Sequence, residues 1–203
     1  MEPKELVKAG YDAIANVYAS KRHENLPEMR FLPEFSDYIP LNGKVLDLGC
    51  GSGIPFSKYL SKRFEVTGID ISPNQIKLAK INVPQGRFYC GDMTSLKFPD
   101  NSFNGMLAFY SIIHVPRKEH YSLFCDMVRI LKRNGVALIN LHSTDDPESI
   151  NNDFFGTSMF WSGYDWKINE VLLQEAGFTI LWSKIVKDSL DTKSQHLFVL
   201  GKK

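Results

Sequence analysis

The chain has 203 residues, with 24 Lys and Arg against 23 Asp and Glu and a formal net charge of +1. That length favours one folding unit with a sizeable core, and the even charge offers no global field for a nucleic acid or an anionic membrane. Cys50, Cys90 and Cys125 stand far apart without a CxxC pair, which argues against a disulfide framework or a zinc site and for a reducing compartment. The first residues, MEPKELVKAGYDAIANVY, lack the apolar core of a signal peptide, and no window reaches the roughly 18 apolar residues of a membrane span. The expectation is a soluble cytoplasmic protein, with no membrane or metal partner, acting as a monomer or homodimer.

From Leu6 to about Tyr18, apolar residues recur at helical spacing, and a polar, proline-marked stretch follows to Pro40. Residues 1–40 are therefore read as a helical N-terminal segment and 41–203 as the core of a single domain. Lys44 to Leu48 is predicted as a strand, Pro55 to Arg63 as a helix, Glu65 to Ile69 as a strand, and Pro73 to Ile81 as a helix capped by Ser72. Two more strands follow at Arg87–Cys90 and Phe103–Phe109. Phe124, Met127, Val128 and Leu131 sit at i, i+3, i+4 and i+7 on a helix that Asn134-Gly135 is expected to end. Val136–Leu141 reads as a strand, 143–166 as an aromatic-rich insertion, Trp166–Ala176 as a helix, and Phe178–Val186 with His196–Leu200 as a final antiparallel pair joined by a polar connection. Strands alternating with helices predict an α/β, doubly wound, mostly parallel sheet covered on both faces. Its ligand would lie beyond the carboxyl ends of the strands, where strand order reverses.

At that place stands VLDLGCGSG, residues 45–53, of the form D-x-G-x-G-x-G. Gly49, Gly51 and Gly53 strip the loop of side chains so that a ligand can approach the backbone. The spacing differs from the G-x-G-x-x-G dinucleotide fingerprint, and no P-loop Gly-Lys-Ser/Thr follows. Asp70, in GIDIS, and Asp92, in CGDM, end the next two strands, 23 and 22 residues on from Asp47 and Asp70 respectively. Those are the lengths of successive strand–helix–strand units, so the three carboxylates are expected at one edge of the sheet. Asp70 is placed to accept both hydroxyls of a ribose. Asp92 is placed for the amine of a base lying against Ile71 and Met93, and Asp47 for a cationic amine. S-adenosylmethionine combines these groups.

The stretches VLDLGCGSG, GIDIS, GDM and FPDNSFNGMLAFYSIIHVP, with NGVALINLH and LLQEAGFTI after them, resemble the class I S-adenosylmethionine-dependent methyltransferases, particularly the small type 11 branch. The resemblance runs from about Tyr11 to the end. It implies a Rossmann-like α/β/α fold with a seven-stranded sheet of order 3-2-1-4-5-7-6, only the last strand antiparallel. It implies S-adenosylmethionine as cofactor, S-adenosylhomocysteine as its product, and Cys50 and Phe109 among the cofactor-binding residues. Tyr11 and Tyr18 resemble the paired aromatics of the family's N-terminal lid. Where the family usually has Phe-Asp opening the fourth strand, this chain has Phe103-Asn104.

His114, after the fourth strand, is the candidate catalytic residue, because a proton acceptor near the methyl would serve as a general base; a histidine bonded to backbone is the competing reading. On the substrate side the candidates are His142, Phe160, Trp161 and Tyr164, since aromatics beside a cofactor edge build a wall for a planar acceptor. No Asn-Pro-Pro-Tyr or Pro-Cys follows the fourth strand, which favours a small-molecule acceptor over a nucleic acid. The alternative is a subunit that keeps the fold and binds or regulates without transferring a methyl.

Overall fold

The computed structural model describes residues 1–188 and 194–203. The first 40 residues hold α1 (Pro3–Ala13), α2 (Ala15–Lys21), a 3-10 turn and α3 (Leu32–Asp37). The core then runs through β1 (Lys44–Leu48), α4 (Phe56–Leu60), β2 (Glu65–Asp70), α5 (Pro73–Asn82), β3 (Arg87–Cys90) and β4 (Phe103–Ala108). After it come α6 (His120–Ile130), β5 (Leu131–His142), β6 (Asp146–Phe154), β7 (Thr157–Gly163), α7 (Trp166–Glu175), β8 (Thr179–Lys187) and β9 (Gln195–Lys202). Seven of these strands form one sheet in the order β3-β2-β1-β4-β5-β9-β8. Strand β9 runs antiparallel to β5 and to β8, while the pairings from β3 to β5 are parallel. Counting the sheet strands alone, this is the expected 3-2-1-4-5-7-6 with one reversed strand.

The sheet is apolar on both faces because residues alternate sides along each strand. Val45, Leu107, Val136 and Leu138 meet Leu32, Phe35 and Ile39 of the α3 region and Leu60 of α4. Leu46, Met106, Ala137 and Ile139 meet Phe124 and Met127 of α6 and Leu173 of α7. Ile76, Ala79 and Val83 bring α5 against Phe88 of β3 and Cys50. Ser72 caps α5, its Oγ accepting the Gln75 N–H at 3.1 Å. Among the described residues no helix is long and apolar enough to cross a membrane.

Four expectations are corrected. The helix around Phe124 does not run to Asn134-Gly135: α6 ends at Ile130, and Leu131 already has extended ψ of 140°. Asn134 instead uses its tolerance of positive φ (63°) inside β5, where the register against β4 shifts. The N-terminal helix is broken at Ile14 (φ −99°, ψ 9°), and the helix expected from Pro55 to Arg63 is regular only over Phe56–Leu60. The 143–166 insertion, read as an aromatic loop, contains a two-stranded antiparallel ribbon, β6 against β7. Phe155 and Gly156 both have positive φ, 52° and 84°, as a two-residue hairpin turn needs; a phenylalanine in that place conceals the turn from sequence. The polar connection expected between β8 and β9 falls largely on residues 189–193, outside the described residues.

Phe35 is fully buried between α3 and the sheet. Phe35→Ala is expected to cost about 3–5 kcal/mol of stability, read as a lower denaturation midpoint with unchanged slope. A loss under 1 kcal/mol would mean this face is loosely packed.

Candidate active site

The turn after β1 is latched to the end of β2. Gly49 N–H and Cys50 N–H both donate to the Ile69 carbonyl, at 2.8 and 3.0 Å. Asp70, at the tip of β2, accepts from Gly51 N–H at 2.8 Å through Oδ2 and from Ser72 N–H at 2.9 Å through Oδ1. The three glycines serve different ends, all at positive φ. A Cβ on Gly49 would lie 2.2 Å from the Ser111 Cβ, and one on Gly53 would press on Val83 at 3.0 Å. One on Gly51 would meet nothing nearer than 3.8 Å and would stand in the open slot above the loop.

That slot is narrow, ≈ 80 Å³, with Gly49, Cys50, Gly51, Asp70, Ile71 and Met93 on one side. Phe109 and Ser111, which follow β4, and Tyr11, Tyr18 and Arg22 from the N-terminal segment complete the lining. Among the described residues, Gln75 Oε1 and Nε2 and Ser111 Oγ of its lining are buried without a hydrogen-bond partner, while Arg22 Nη1 has only the Glu28 carboxylate, 3.6 Å away. Unpartnered buried polar groups are costly and uncommon, so a ligand with donors, acceptors and an anionic end suits this lining. Arg22 is the cationic residue of the slot's lining. Its guanidinium sits between the rings of Tyr18 and Tyr110, 4.7 and 4.5 Å from their centroids, donates to the Tyr18 hydroxyl and lies 3.6 Å from Glu28.

A second, wider cavity of ≈ 740 Å³ opens next to the slot and shares Tyr11, Tyr18, Arg22, Tyr110 and His114 with it. His142, Phe154, Phe155 and Trp161 line its far part, with Asp146, Asp153 and Asp188. His196, the strand partner of His142, also lines it and meets Asp188 Oδ2 at 2.9 Å. His114 has both ring nitrogens engaged, Nδ1 with the Phe160 carbonyl at 2.7 Å and Nε2 with the Tyr11 hydroxyl at 2.9 Å. Burial pushes its pKa down to about 4, so the imidazole is neutral.

Several residues singled out in the sequence lie away from both cavities. Asp47 is buried beneath the loop, accepting from Ser57 Oγ at 2.5 Å, so it faces α4 and not the slot. Asp92 is at the rim but turned to Lys4 of α1 at 3.0 Å and to Thr94; Lys4 also bonds Glu119. Gly53 backs onto α5. The Phe160 side chain packs in the cluster of Val7, Tyr11 and Met159, and only its carbonyl serves the site. Tyr164 stacks with Arg117, 4.9 Å away, beside His120. Conversely, Arg22, Gln75, Ser111 and Tyr110 line the slot and were not singled out. Arg22 had a signal: Tyr11, Tyr18 and Arg22 stand seven and four residues apart, spacings that share a helical face.

Residues 46–139 match the family model described as a methyltransferase domain. An uncharacterized methyltransferase of Synechocystis is 31% identical over 175 residues, covering 83% of this chain and 79% of that protein. The chain belongs to the class I S-adenosylmethionine-dependent methyltransferases. Trans-aconitate 2-methyltransferase of Enterobacter is 34% identical over 110 residues, 52% of this methyltransferase and 42% of its own length. The fold is shared with the 1,6-didemethyltoxoflavin-N1-methyltransferase of Burkholderia thailandensis, solved with its acceptor and S-adenosylhomocysteine. That structure superposes with a TM-score of 0.72 at 19% identity, over 96% of this chain and 84% of that one.

Two acids of this methyltransferase are expensive to ionise. Burial pushes Asp47 up to about 7 against the Ser57 hydrogen bond, and Asp70 up to about 6 against the Ser72 and Gly51 N–H groups. Both shifts are upward from 3.8, so between about pH 4 and 7 the native state holds protons that the unfolded chain has released. Their contribution is complete below pH 4 and is lost as pH rises through 6 and 7. Asp47→Asn keeps an oxygen for Ser57 but cannot ionise. It is expected to match the parent near pH 4 and to exceed it at pH 8 by up to about 4 kcal/mol, measured by chemical denaturation at both pH values. A gap independent of pH would show that Asp47 does not titrate in this window.

Proposed function

We propose that the slot holds S-adenosylmethionine and the wider cavity holds a flat, uncharged or cationic small molecule that receives the methyl group. The observation that carries this is the pair of cavities meeting at Tyr11, Tyr18, Arg22, Tyr110 and His114. Asp70 still has lone pairs for ribose hydroxyls, Ile71 and Met93 offer apolar surface for the base, and Gly49, Cys50, Gly51 and Phe109 border the rest. Arg22 and Tyr18 receive the carboxylate end. Asp92 serves the base only after sharing its carboxylate with Lys4. The slot is narrow beside the 300–1,000 Å³ of most ligand sites, and it continues into the wide cavity at the residues the two share.

Bound in the slot, S-adenosylmethionine supplies a methyl already activated by its positive sulfur. The chain's share is to align donor and acceptor and to exclude water, an advantage of roughly 7–11 kcal/mol at best. Tyr11, Tyr18, Phe154 and Phe155 form a continuous aromatic group over the junction, with centroid separations from 4.8 to 6.3 Å, and so shed water from it. Trp161, 5.3 Å from the His114 ring, and His142 bound the acceptor's side. Asp146, Asp153 and Asp188 make the acceptor cavity unfavourable for a polyanion. The balanced charge and the three unpaired cysteines support a cytoplasmic enzyme without a nucleic-acid partner.

Calorimetry with S-adenosylmethionine and S-adenosylhomocysteine tests the first half. Both are expected to bind, with affinity falling roughly 10- to 100-fold in Asp70→Asn and in Arg22→Leu; unchanged affinity in both variants would remove the slot from the argument. For the second half, the protein is given methyl-labelled S-adenosylmethionine and metabolite fractions separated by charge. Label is expected in neutral or cationic aromatic products, and label confined to polycarboxylates would overturn the reading of the wide cavity.

A further inference from the structure

We propose that the Tyr11 oxygen is the polar contact at the point of transfer, offering lone pairs and no proton to the positively charged methyl-bearing sulfur, and that His114 is the residue that positions it. This rests on the assignment of the slot to S-adenosylmethionine. The orientation follows from hydrogen-bond accounting. A peptide carbonyl only accepts, so the Phe160 carbonyl, 2.7 Å from His114 Nδ1, requires the proton of the neutral imidazole to sit on Nδ1. Nε2 then carries a lone pair, and the Tyr11 hydroxyl 2.9 Å away must donate to it. With its one proton committed, the phenol oxygen only accepts elsewhere, from the Tyr18 side chain and from what enters the cavities, and Tyr11 borders both the slot and the wide cavity. An electron-rich oxygen there attracts a sulfonium methyl or an ammonium and gains nothing from a neutral thioether.

The same arrangement excludes His114 as the base for the acceptor. Nε2 is covered by Tyr11, and a relay that protonated it would place an imidazolium in a buried cluster with Arg22, His142 and His196, whose charges together with burial already disfavour that form. Tyr11 is itself held in its protonated form by burial, with Tyr18 adding to the effect. The ring is fixed edge-on against Tyr18 at 5.1 Å, His114 at 5.3 Å and Phe154 at 6.3 Å. The pair therefore acts by orientation. The carbonyl that sets it belongs to β7, which ties the ribbon to the transfer point.

The test compares three ligands by calorimetry: S-adenosylmethionine, sinefungin, whose amine stands in place of the methyl sulfonium, and S-adenosylhomocysteine. Tyr11→Phe is expected to weaken sinefungin about tenfold and S-adenosylmethionine a few-fold, leaving S-adenosylhomocysteine unchanged. His114→Leu should behave like Tyr11→Phe, and the double variant should lose nothing more. His114→Gln, which keeps a donor and an acceptor but no basicity, should stay near the parent. Long-range proton–nitrogen NMR of the parent should show His114 protonated at Nδ1 and not at Nε2. Equal weakening of all three ligands in Tyr11→Phe, a His114→Gln variant as impaired as His114→Leu, or a proton on Nε2 would each overturn the proposal while leaving the cofactor assignment intact. Failure of all three ligands to bind the parent would overturn both.

Discussion

The grip of Asp70 on the glycine turn is the interaction from which the rest of the site follows. One carboxylate accepts the Gly51 N–H with one oxygen and the Ser72 N–H with the other, joining the turn after β1 to the start of α5. The turn would otherwise be a run of glycines with high conformational freedom. Pinned by Asp70 and by the Ile69 carbonyl, it becomes a shelf of bare backbone. Parallel strands supply the geometry, since β1 and β2 in register, Leu48 against Ile69, end together and put turn and acid at one height. The cost is a carboxylate taken from water, visible in its raised pKa. Such a cost is tolerated where the group has a task beyond packing.

The roof depends on a different logic. Strands and glycine turn belong to the sheet, whereas Tyr11, Tyr18 and Arg22 come from the N-terminal helices and Phe154, Phe155 and Trp161 from the β6–β7 ribbon. Neither part buries enough apolar surface to stand alone: a two-stranded ribbon is marginal by itself, and α1 and α2 are too short for isolated helices. They stabilise each other through Val7, Tyr11, Met159 and Phe160. Lys4 then fastens the first turn of α1 to Asp92 and Glu119. Asp12 adds a third tie, accepting from Ser72 Oγ at 2.5 Å and from Asn74 N–H at 3.0 Å, so the roof is fastened to the start of α5 beside the glycine turn as well as to the ribbon.

Sheet strands were legible in the sequence because buried parallel strands are short apolar runs between turn residues, and β1, β2 and β3 lie within a residue of where those runs place them. The convergence of the acids was legible only as backbone. Spacing brought Asp47, Asp70 and Asp92 to one edge, yet only Asp70 lines the slot. Asp47 pairs in register with Gly68, two residues short of Asp70, so it stops below the rim and turns to Ser57. Asp92 lies past the end of β3 in a turn that Thr94 and Lys4 organise, and Lys4 is 88 residues away. No local pattern encodes such a contact. The ribbon stayed hidden because its turn uses Phe155 where Asn is usual, and because its aromatics serve three neighbours at once. Gln75 and Ser111 are ordinary polar residues of a helix and a turn until tertiary packing buries them.

The buried charges explain why these scattered residues belong together. Arg22 is held in place by two aromatic faces, a tyrosine hydroxyl and Glu28 at 3.6 Å, and its Nη1 still has no hydrogen bond. A guanidinium brings five N–H donors into a buried site, and those facing the slot call for an anion. Asp70 resists ionisation and accepts further donors readily. On the proposed assignment the slot offers a cation at Arg22, a carboxylate at Asp70 and the oxygen of Tyr11. A zwitterion with a carboxylate at one terminus, hydroxyls at the other and a positive centre between satisfies all three at once. A nicotinamide dinucleotide would instead lay two phosphates along a turn whose strongest side chain is a carboxylate. On that assignment the charged groups discriminate for the methyl donor more sharply than the glycine turn does, since bare backbone alone admits either ligand.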